Sequence, residues 1–489
     1  MGGGRSSQKS LSTVLQQKTG IFGLDEVLNG GLPKYTLTLL SGTSGTGKTL
    51  FGFQWLFNGI KQGENGIYIS ITESLSVAVR NIESMEFYDR KVIEEEKLRL
   101  FDIKENLDYE KIEPKLILQY IEKKIKDNNA KRLVIDSITG LLCAINDKVK
   151  MAEFMFELKA VLATLGCTTI LISKVTSKKG YSVYGVEELV TDGVLALNNI
   201  IGENQNVRNL QVIKMRGIKY RTGAIIFEIN SSGILLYPKI PINLNVATTE
   251  FSQRLSSGIT KLDHLCDGGK WGFPQSHVIV ISGNTGTGKS TCAMQFLKAG
   301  LENGENGIYM ALEESSIQIK KTAFEHGWNF EEYEKMGQLI FINPGLIDIN
   351  PDKILYEAVN AVNKIGASRL IIDSISSLES ATMNKNKVRE FLIQLSGFMK
   401  EKGVTVMLTY LSENTFNSNI GQLIAGGTAS DLRLSSIVDG LILLRYVERA
   451  EKVLKFLNIL KMRGVQHDKK IWEFEIIKGG INIGETLKP

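Results

Sequence analysis

The sequence has few cysteine, proline and histidine residues, and it lacks a hydrophobic run long enough to cross a membrane. Its 489 residues include four cysteines, eight prolines and four histidines. No apolar run reaches the ~18–20 residues that a membrane helix needs. The cysteines are scattered without a CxxC pair, which predicts a reduced, cytoplasmic protein with no cysteine-based metal site. They lie at Cys143, Cys167, Cys266 and Cys292.

A strong excess of charge of one sign is also missing. The net charge is +5, and hydrophobic and charged residues make up 43% and 23% of the chain, as in ordinary globular proteins. A balance this close to neutral does not favour nucleic acid or an anionic membrane as a partner. The first ten residues, MGGGRSSQKS, have no apolar core, so residues 1–12 are predicted to be a disordered arm rather than a secretory signal.

What the sequence does contain is a duplication. Three stretches recur in the same order: "GENGIY" at 63–68 and 304–309, "RLVIDSI" at 132–138 with "RLIIDSI" at 369–375, and "IKMRG" at 213–217 with "LKMRG" at 460–464. Each copy is long enough for a whole domain. We therefore predict an N-terminal domain over residues 13–245 and a C-terminal domain over 246–489 that ends in a short tail. The joint is expected within residues 236–251, where two prolines disfavour helix and sheet.

Short β-branched runs alternate with helical patterns in both halves. Runs that are apolar on both faces are typical of parallel strands covered by helices on two sides. The pattern predicts an α/β fold, with a mostly parallel twisted sheet in each half and an antiparallel hairpin late in each half. In the first half the runs lie at 37–40, 67–71, 133–135, 168–172, 194–197 and 210–213, and the second half repeats them.

Each half opens with a phosphate-binding loop of the form G-x-x-x-x-G-K-[ST]. Such a loop directs backbone N–H groups and the start of a helix towards phosphate, while its lysine reaches the β- and γ-phosphates. A chance glycine-rich turn is the alternative, and two matches at equivalent places disfavour it. The predicted ATP-binding residues are Gly42, Thr43, Ser44, Gly45, Thr46, Gly47, Lys48 and Thr49 in the first half, and Gly283, Asn284, Thr285, Gly286, Thr287, Gly288, Lys289, Ser290 and Thr291 in the second.

In each half, an aspartate ends an apolar strand that comes later in the chain than the phosphate loop. Asp136 ends "RLVID" and Asp373 ends "RLIID", where a carboxylate can hold Mg²⁺ through water. The loop hydroxyls of Thr49 and Ser290 complete the predicted metal sites. The alternative is that each aspartate only caps the next turn.

The two copies differ where a catalytic carboxylate is expected. The second half has Glu313 and Glu314 after its strand, and a glutamate there can take a proton from an attacking oxygen. The first half has Thr72 and Glu73, and threonine cannot act as a base near neutral pH. Either Glu73 takes the role or the first half binds ATP and hydrolyses it slowly. A solvated helix start is the structural alternative for both pairs.

Over nearly its whole length the chain resembles KaiC-type double-domain RecA-like ATPases. The resemblance is carried by the two phosphate loops, "LEES", the "VIDS" and "IIDS" strands, "YGVEELVTDGV" and both copies of "KMRG". It implies two tandem RecA-like P-loop domains, a two-tiered homohexamer with Mg-ATP between neighbours, slow ATP hydrolysis, and Ser/Thr autophosphorylation by the second tier. By this resemblance Glu313 is the catalytic glutamate, with Glu314 beside it, and Thr72 is a departure.

The resemblance also assigns residues outside the phosphate loops. "KMRG" implies contacts to a neighbour's nucleotide, and a basic strand edge exposed to solvent is the alternative. The family's phosphorylated pair matches Ser435 and Ser436, near the acidic Asp431; the alternative is a plain serine pair at a strand start. The implied trans contacts are Lys214, Met215 and Arg216 in the first half, and Lys461, Met462 and Arg463 in the second.

The resemblance further implies a KaiB-like regulator, and a role in a circadian clock or in stress signalling. The tail after "IIKGGINIGETLKP" is shorter than the one that a KaiA-type partner captures, which weighs against that partner. Two rival functions stay open: a RecA-like DNA-dependent ATPase of the recombinase or helicase type, and a ring ATPase without autokinase activity. DNA binding with a steep salt dependence would favour the first rival.

Overall fold

The computed structural model describes residues 14–106, 113–175, 180–201, 206–240, 253–266, 271–345, 349–382, 385–412, 436–449 and 452–487. The chain forms two compact units that divide between Pro238 and Lys239. The predicted boundary between residues 245 and 246 lies outside the described residues, as does the predicted arm. None of the helices in the described part of the chain combines the length and apolar character that crossing a bilayer requires.

The first unit is a large sheet with helices on both faces. Its strands are β1 (Gln16–Gln17), β2 (Leu32–Pro33), β3 (Leu37–Gly42), β4 (Gly66–Ser70), β5 (Leu98–Asp102), β6 (Arg132–Asp136), β7 (Thr168–Lys174), β8 (Gly193–Ile201), β9 (Asn206–Met215), β10 (Ala224–Asn230) and β11 (Gly233–Tyr237). Its helices are α1 (Leu24–Val27), α2 (Lys48–Lys61), α3 (Leu75–Arg80), α4 (Arg90–Glu94), α5 (Ile103–Asn106), α6 (Pro114–Asn128), α7 (Ile138–Ile145), α8 (Lys148–Thr164) and α9 (Val186–Val190).

The second unit has the same succession of strands, and its described residues form counterparts of most of the helices. Its strands are β12 (Arg254–Leu255), β13 (Phe273–Pro274), β14 (Val278–Gly283), β15 (Gly307–Ala311), β16 (Leu339–Ile342), β17 (Arg369–Asp373), β18 (Thr405–Leu411), β19 (Gly440–Arg449), β20 (Lys452–Met462), β21 (Trp472–Ile477) and β22 (Gly480–Thr486). Its helices are α10 (Thr260–Leu265), α11 (Lys289–Glu302), α12 (Ser316–Glu325), α13 (Phe330–Lys335), α14 (Pro351–Ile365), α15 (Ser376–Ala381) and α16 (Lys385–Glu401).

The two main sheets have the same strand order. The first runs β11-β10-β9-β8-β3-β7-β6-β4-β5, and the second runs β22-β21-β20-β19-β14-β18-β17-β15-β16 when read in the same direction. From β8 to β5 all neighbours are parallel, whereas β8 to β11 are joined by antiparallel pairings. The predicted α/β class with mostly parallel sheets is confirmed. The single expected hairpin is instead a four-stranded antiparallel extension in each unit.

Burial on both faces explains why the central strands are continuously apolar. In β4, Ile67 and Ile69 pack into one core cluster while Tyr68 packs into the cluster on the opposite face. In β6, Leu133 and Val134 divide in the same way. Alternate side chains of a strand point to opposite faces, so a sheet with helices on both sides requires apolar residues at nearly every position.

Candidate active sites

Each phosphate loop joins the central strand of its sheet to a long helix. In the first unit β3 leads through the loop into α2, and Gly47 precedes the helix with a φ of 95°. Gly288 has a φ of 104° before α11. A residue with a side chain is strained in this left-handed region, so glycine is required for the turn. The side chains of Thr46 and Thr287 are buried and donate to loop carbonyls, at 2.9 Å to Thr43 and 2.8 Å to Asn284. These hydrogen bonds within the loop restrict its conformation.

The loop lysines lie where the phosphates of a nucleotide would enter. The Lys48 ammonium donates to the carbonyls of Gly42 and Thr43 at 2.7 Å and 2.6 Å, and Lys289 donates to Asn284 at 2.8 Å. Burial lowers the pKa of Lys48 to about 8, although the negative charge of Asp136 opposes the shift. Burial also lowers the pKa of Lys289, against the opposing charges of two acidic neighbours. Both ammonium groups are thus poorly hydrated and ready to interact with an anion.

The predicted metal residues of the first unit are in contact. The Thr49 hydroxyl donates to the Asp136 carboxylate at 2.7 Å. Mg²⁺ usually binds proteins through one or two oxygen ligands and takes the rest from phosphate and water. The Thr49–Asp136 pair fits that requirement, and the described residues contain no cluster of three or more His, Cys, Asp or Glu side chains that would favour another metal. In the second unit Ser290 occupies the first turn of α11, and Asp373 ends β17.

A buried tyrosine holds the aspartate in both units, and the sequence analysis missed it. Tyr68 donates to Asp136 at 2.9 Å, and Tyr309 donates to Asp373 at 2.5 Å. Asp373 also accepts a hydrogen bond from Thr409. The signal was present in the sequence, because both tyrosines end the repeated "GENGIY".

The second residue of the same repeated stretch is the glutamate of an ion pair with a buried arginine. Arg132 has no exposed side-chain surface, and its Nε lies 2.7 Å from Glu64; Arg369 and Glu305 repeat the contact at 2.7 Å. "GENGIY" therefore joins its strand to the neighbouring strand at one end through the ion pair and at the other through the tyrosine.

Glu313 is held above the end of β17 in the second unit. Its Oε1 accepts hydrogen bonds from Ser374 at 2.5 Å and from Ser377 at 2.8 Å. Beside it, partial burial raises the pKa of Glu314, and the negative charges of Asp373 and Glu313 add to the shift. The carboxylates predicted from the sequence thus share one end of the sheet with Asp373, the predicted metal ligand.

The first unit has a cavity of about 500 Å³ at the corresponding place. A volume of this size is typical of small-molecule sites. Its lining includes the phosphate loop, Thr72 and Glu73, so these predicted residues share one cavity. Lys174, at the end of β7, adds a cation that the sequence analysis did not consider, and the equivalent last residue of β18 is Leu411.

Comparison with known proteins agrees with the two units. The family model "ATPase: KaiC" matches residues 17–240 and again residues 255–488. The chain belongs to the KaiC family. The circadian clock oscillator protein KaiC of Parathermosynechococcus lividus is 32% identical over 490 residues, covering 99% of this chain and 88% of the relative. The protein of the same name from Synechococcus elongatus is 31% identical over 481 residues, covering 97% and 90%.

A third relative carries a different printed name. The circadian clock protein KaiC3 of Synechocystis is 31% identical over 478 residues, covering 96% of this chain and 92% of the relative. The family match supports ATPase activity, so the phosphate loops, aspartates and glutamates can be considered as parts of a KaiC-type site.

The cations of the two KaiC-type "KMRG" stretches contact backbone of their own units. Lys461 donates to the carbonyl of Val438 at 2.7 Å, and Arg463 donates to the carbonyl of Ser436 at 2.7 Å. Lys214 donates to the Glu188 carbonyl at 2.7 Å in the first unit. These contacts place the cations beside the segment that precedes strand β8 or β19.

The other residues of these stretches have different surroundings. Arg216 lies 3.9 Å from Asp192. Met215 and Met462 are buried in their own units, so a contact with a neighbour's nucleotide would have to use their backbone atoms.

Only part of the predicted phosphorylation segment is described. Ser435 and Asp431 lie outside the described residues. Ser436 is exposed at the start of the described segment, and Arg463 reaches its backbone carbonyl.

A second cavity, of about 450 Å³, lies on the antiparallel extension of the second unit. Its lining includes the apolar Phe456 and Ile471 and the cationic or titratable Arg445, His467 and Lys469. The sequence analysis missed these residues, although "HDKK" begins two residues after "KMRG" and marks a basic stretch.

Proposed function

We propose that the chain forms a homohexameric, ATP-hydrolysing ring whose second unit phosphorylates its own serines. The observation that carries the proposal is the grouping of Glu313, Asp373 and Lys289 in the second unit, where the charges of both carboxylates act on the lysine ammonium. A base, a metal-holding aspartate and a phosphate-loop lysine are the groups that phosphoryl transfer uses. The two-tiered ring with nucleotide between neighbours is carried over from the family resemblance.

Glu313 is the base in this proposal. Its carboxylate takes the proton from the attacking oxygen, which belongs to water or to the hydroxyl of Ser435 or Ser436. That oxygen forms a bond to the γ-phosphorus while the bond to the bridging oxygen breaks and ADP leaves. Lys289 offsets the charge of the transferring group, with Lys461 and Arg463 of a neighbouring copy. Bound Mg²⁺, held by Ser290 and Asp373, would supply further neutralisation of the phosphates.

The first unit binds Mg-ATP through Lys48, Thr49 and Asp136 and hydrolyses it slowly. Its cavity has Thr72 where the second unit has Glu313, and threonine does not act as a base near neutral pH. Glu73 lines the same cavity and is the remaining carboxylate for any turnover there.

Phosphorylation is the signal in the proposed switch. A phosphate adds about −1.5 to −2 charge and changes ring stability or the affinity for a KaiB-like regulator. The names of the relatives favour a clock-type role over general nucleotide metabolism.

Phosphate mapping tests the proposal. Full-length protein is incubated with Mg-ATP, sized by light scattering, and digested for mass spectrometry. We expect a hexamer with phosphate on Ser435 or Ser436, and loss of that phosphate in Glu313→Gln with nucleotide still bound. Ser430→Ala, in the same segment, is the matched control and should keep the phosphate. A hexamer that hydrolyses ATP but carries no phosphate on either serine would instead indicate a ring ATPase without autokinase activity.

A further inference from the structure

Glu313 of the second unit accepts a hydrogen bond from a hydroxyl that has no counterpart at the equivalent position of the first unit. Ser377, at the start of α15, donates to Oε1 of Glu313 at 2.8 Å, beside the bond from Ser374. Two donors on one oxygen fix the carboxylate and leave Oε2 to receive a proton. In the aligned stretches "RLVIDSITG" and "RLIIDSISS", the residue equivalent to Ser377 is Gly140.

Gly140 lies against the residue that replaces the glutamate. A Cβ atom built on Gly140 would lie 2.5 Å from Cγ2 of Thr72, and real Cβ atoms do not approach other atoms so closely. Position 140 therefore has no room for a side chain while Thr72 keeps its methyl group in this place. In the second unit a glutamate and a serine fit together at the same two positions, which makes the difference between the units a coupled pair.

We propose that Ser377 is a positioning residue for Glu313, and that the Thr72–Gly140 pair as a whole prevents the first unit from building the same base. This inference rests on the proposed role of Glu313. It predicts that placing a glutamate at position 72 is insufficient, because the new carboxylate would lack the donor that Ser377 supplies. Ser137, the equivalent of Ser374, stays at the N-terminus of α7 and accepts from the Gly140 amide at 3.4 Å.

The positioning role is tested first in the second unit. Ser377→Ala should lower kcat for phosphate transfer about tenfold, since a hydrogen bond to a charged group is lost, while KM for ATP stays unchanged. Ser377→Thr keeps the hydroxyl and should restore kcat. Ser380→Ala is the matched control, because its hydroxyl lies on the same helix and donates to the Ser376 carbonyl.

Two results would separate the possible failures. Full kcat in Ser377→Ala, with an inactive Glu313→Gln, would overturn the positioning role while leaving the proposed function intact. Full activity in Glu313→Gln would overturn the proposed function itself, and with it this inference.

The coupled pair is tested in the first unit, in a Glu313→Gln background that removes turnover by the second. Gly140→Ser alone should lower the thermal midpoint of the first unit, because its Cβ would lie too close to Cγ2 of Thr72 until that exposed side chain shifts. Adding Thr72→Glu should recover the midpoint. The double variant should hydrolyse ATP about tenfold faster than Thr72→Glu alone.

If the substitutions at positions 72 and 140 act independently of each other, the proposed coupling is wrong. If Thr72→Glu alone matches the double variant in turnover, the hydroxyl at position 140 has no part in the base. If the double variant binds ATP, keeps its midpoint and shows no gain over the background, the pair does not limit the chemistry of the first unit.

Discussion

At the residue scale, the most informative contacts join tyrosine to aspartate. Tyr68 and Tyr309 have no exposed surface, and the hydroxyl of each donates its one hydrogen bond to the aspartate of the proposed metal site. One lone pair of each aspartate is thereby occupied, and its orientation is set before any ligand binds. Partners of this kind usually affect metal affinity nearly as much as the ligands themselves.

Tyr309→Phe should raise the Mg²⁺ concentration needed for half-maximal nucleotide binding about tenfold, because Asp373 loses the donor that orients it. A Mg²⁺ titration with a fluorescent ATP analogue measures this directly and does not depend on turnover. Tyr333→Phe, at the margin of the core, is the control and should leave the titration unchanged. An unaltered Mg²⁺ requirement in Tyr309→Phe would reduce the tyrosine to a packing role.

The lowered pKa of Lys48 makes a second residue-scale prediction. The free ammonium loses its proton as the pH rises through about 8, whereas bound phosphate favours the protonated form. ATP affinity of the first unit should therefore be constant below that pH and fall by up to about tenfold per pH unit above it. Calorimetric titration of ATP into Lys289→Ala, between pH 7 and about 9, isolates the first unit. A flat affinity profile over that range would contradict the prediction.

At the scale of strands and helices, most of the central architecture could be predicted from the sequence. Five of the six apolar runs of each half coincide with strands that are buried on both faces. The sixth coincides with the half-buried strand β9 or β20 of the antiparallel extension. Strand β5 was missed because "LRLFD" alternates and is half-buried at the sheet edge. The outer strand β10 was missed for the same reason, since an antiparallel extension need not be apolar on both faces. Strand β11 was missed although "GILLY" is an apolar and largely buried run.

The sequence also predicted only part of the candidate sites. Residues with a fixed spacing along the chain, such as those of the phosphate loops, were found from the sequence. Tyr68 and Ser377 were not, because each acts on a residue more than 60 positions away, Asp136 and Glu313, and only the fold brings them together.

The buried ion pair between neighbouring strands supports a prediction about stability. Arg132 donates to Glu64 and also to the carbonyls of Trp55 and Lys18, at 2.8 Å each. Arg132→Ala should lower the free energy of unfolding of the first unit by about 3–5 kcal/mol, because a partly buried carboxylate and two carbonyls lose their donor. Urea unfolding followed by tyrosine and tryptophan fluorescence measures the change.

An exposed ion pair is the control for that experiment. Arg90 and Glu94 pair at 3.0 Å with side chains that are 80% and 61% exposed. Arg90→Ala should cost no more than about 1 kcal/mol, because exposed charges are well solvated. Equal effects of the two substitutions would show that burial of Arg132 contributes nothing.

At the scale of the whole molecule, the proposed ring makes each second-unit site a joint product of two copies. One copy supplies Glu313 and Lys289, and its neighbour supplies Lys461 and Arg463. Mixing Glu313→Gln with Arg463→Ala protein should therefore restore phosphate transfer to about one quarter of the unmodified rate, through interfaces that combine the intact halves of each variant.

Exchange of subunits must be verified by sizing differently tagged copies after mixing. If rings that have exchanged subunits show only the sum of the two separate activities, mixing restores nothing. That result would contradict a cation supplied by the neighbouring copy. The control mixture combines Glu313→Gln with Lys452→Ala, a substitution at the exposed start of β20. The Lys452→Ala protein should already transfer phosphate before mixing.

The short distance that would separate Thr72 from a side chain at position 140 also bears on the history of the duplication. Two codon changes separate the first unit from the arrangement of the second, and this short distance makes their order matter. A lineage that altered position 140 first would pass through a strained protein, whereas one that altered position 72 first would not. The first unit can thus return to the arrangement of the second more easily when position 72 changes before position 140 than in the opposite order.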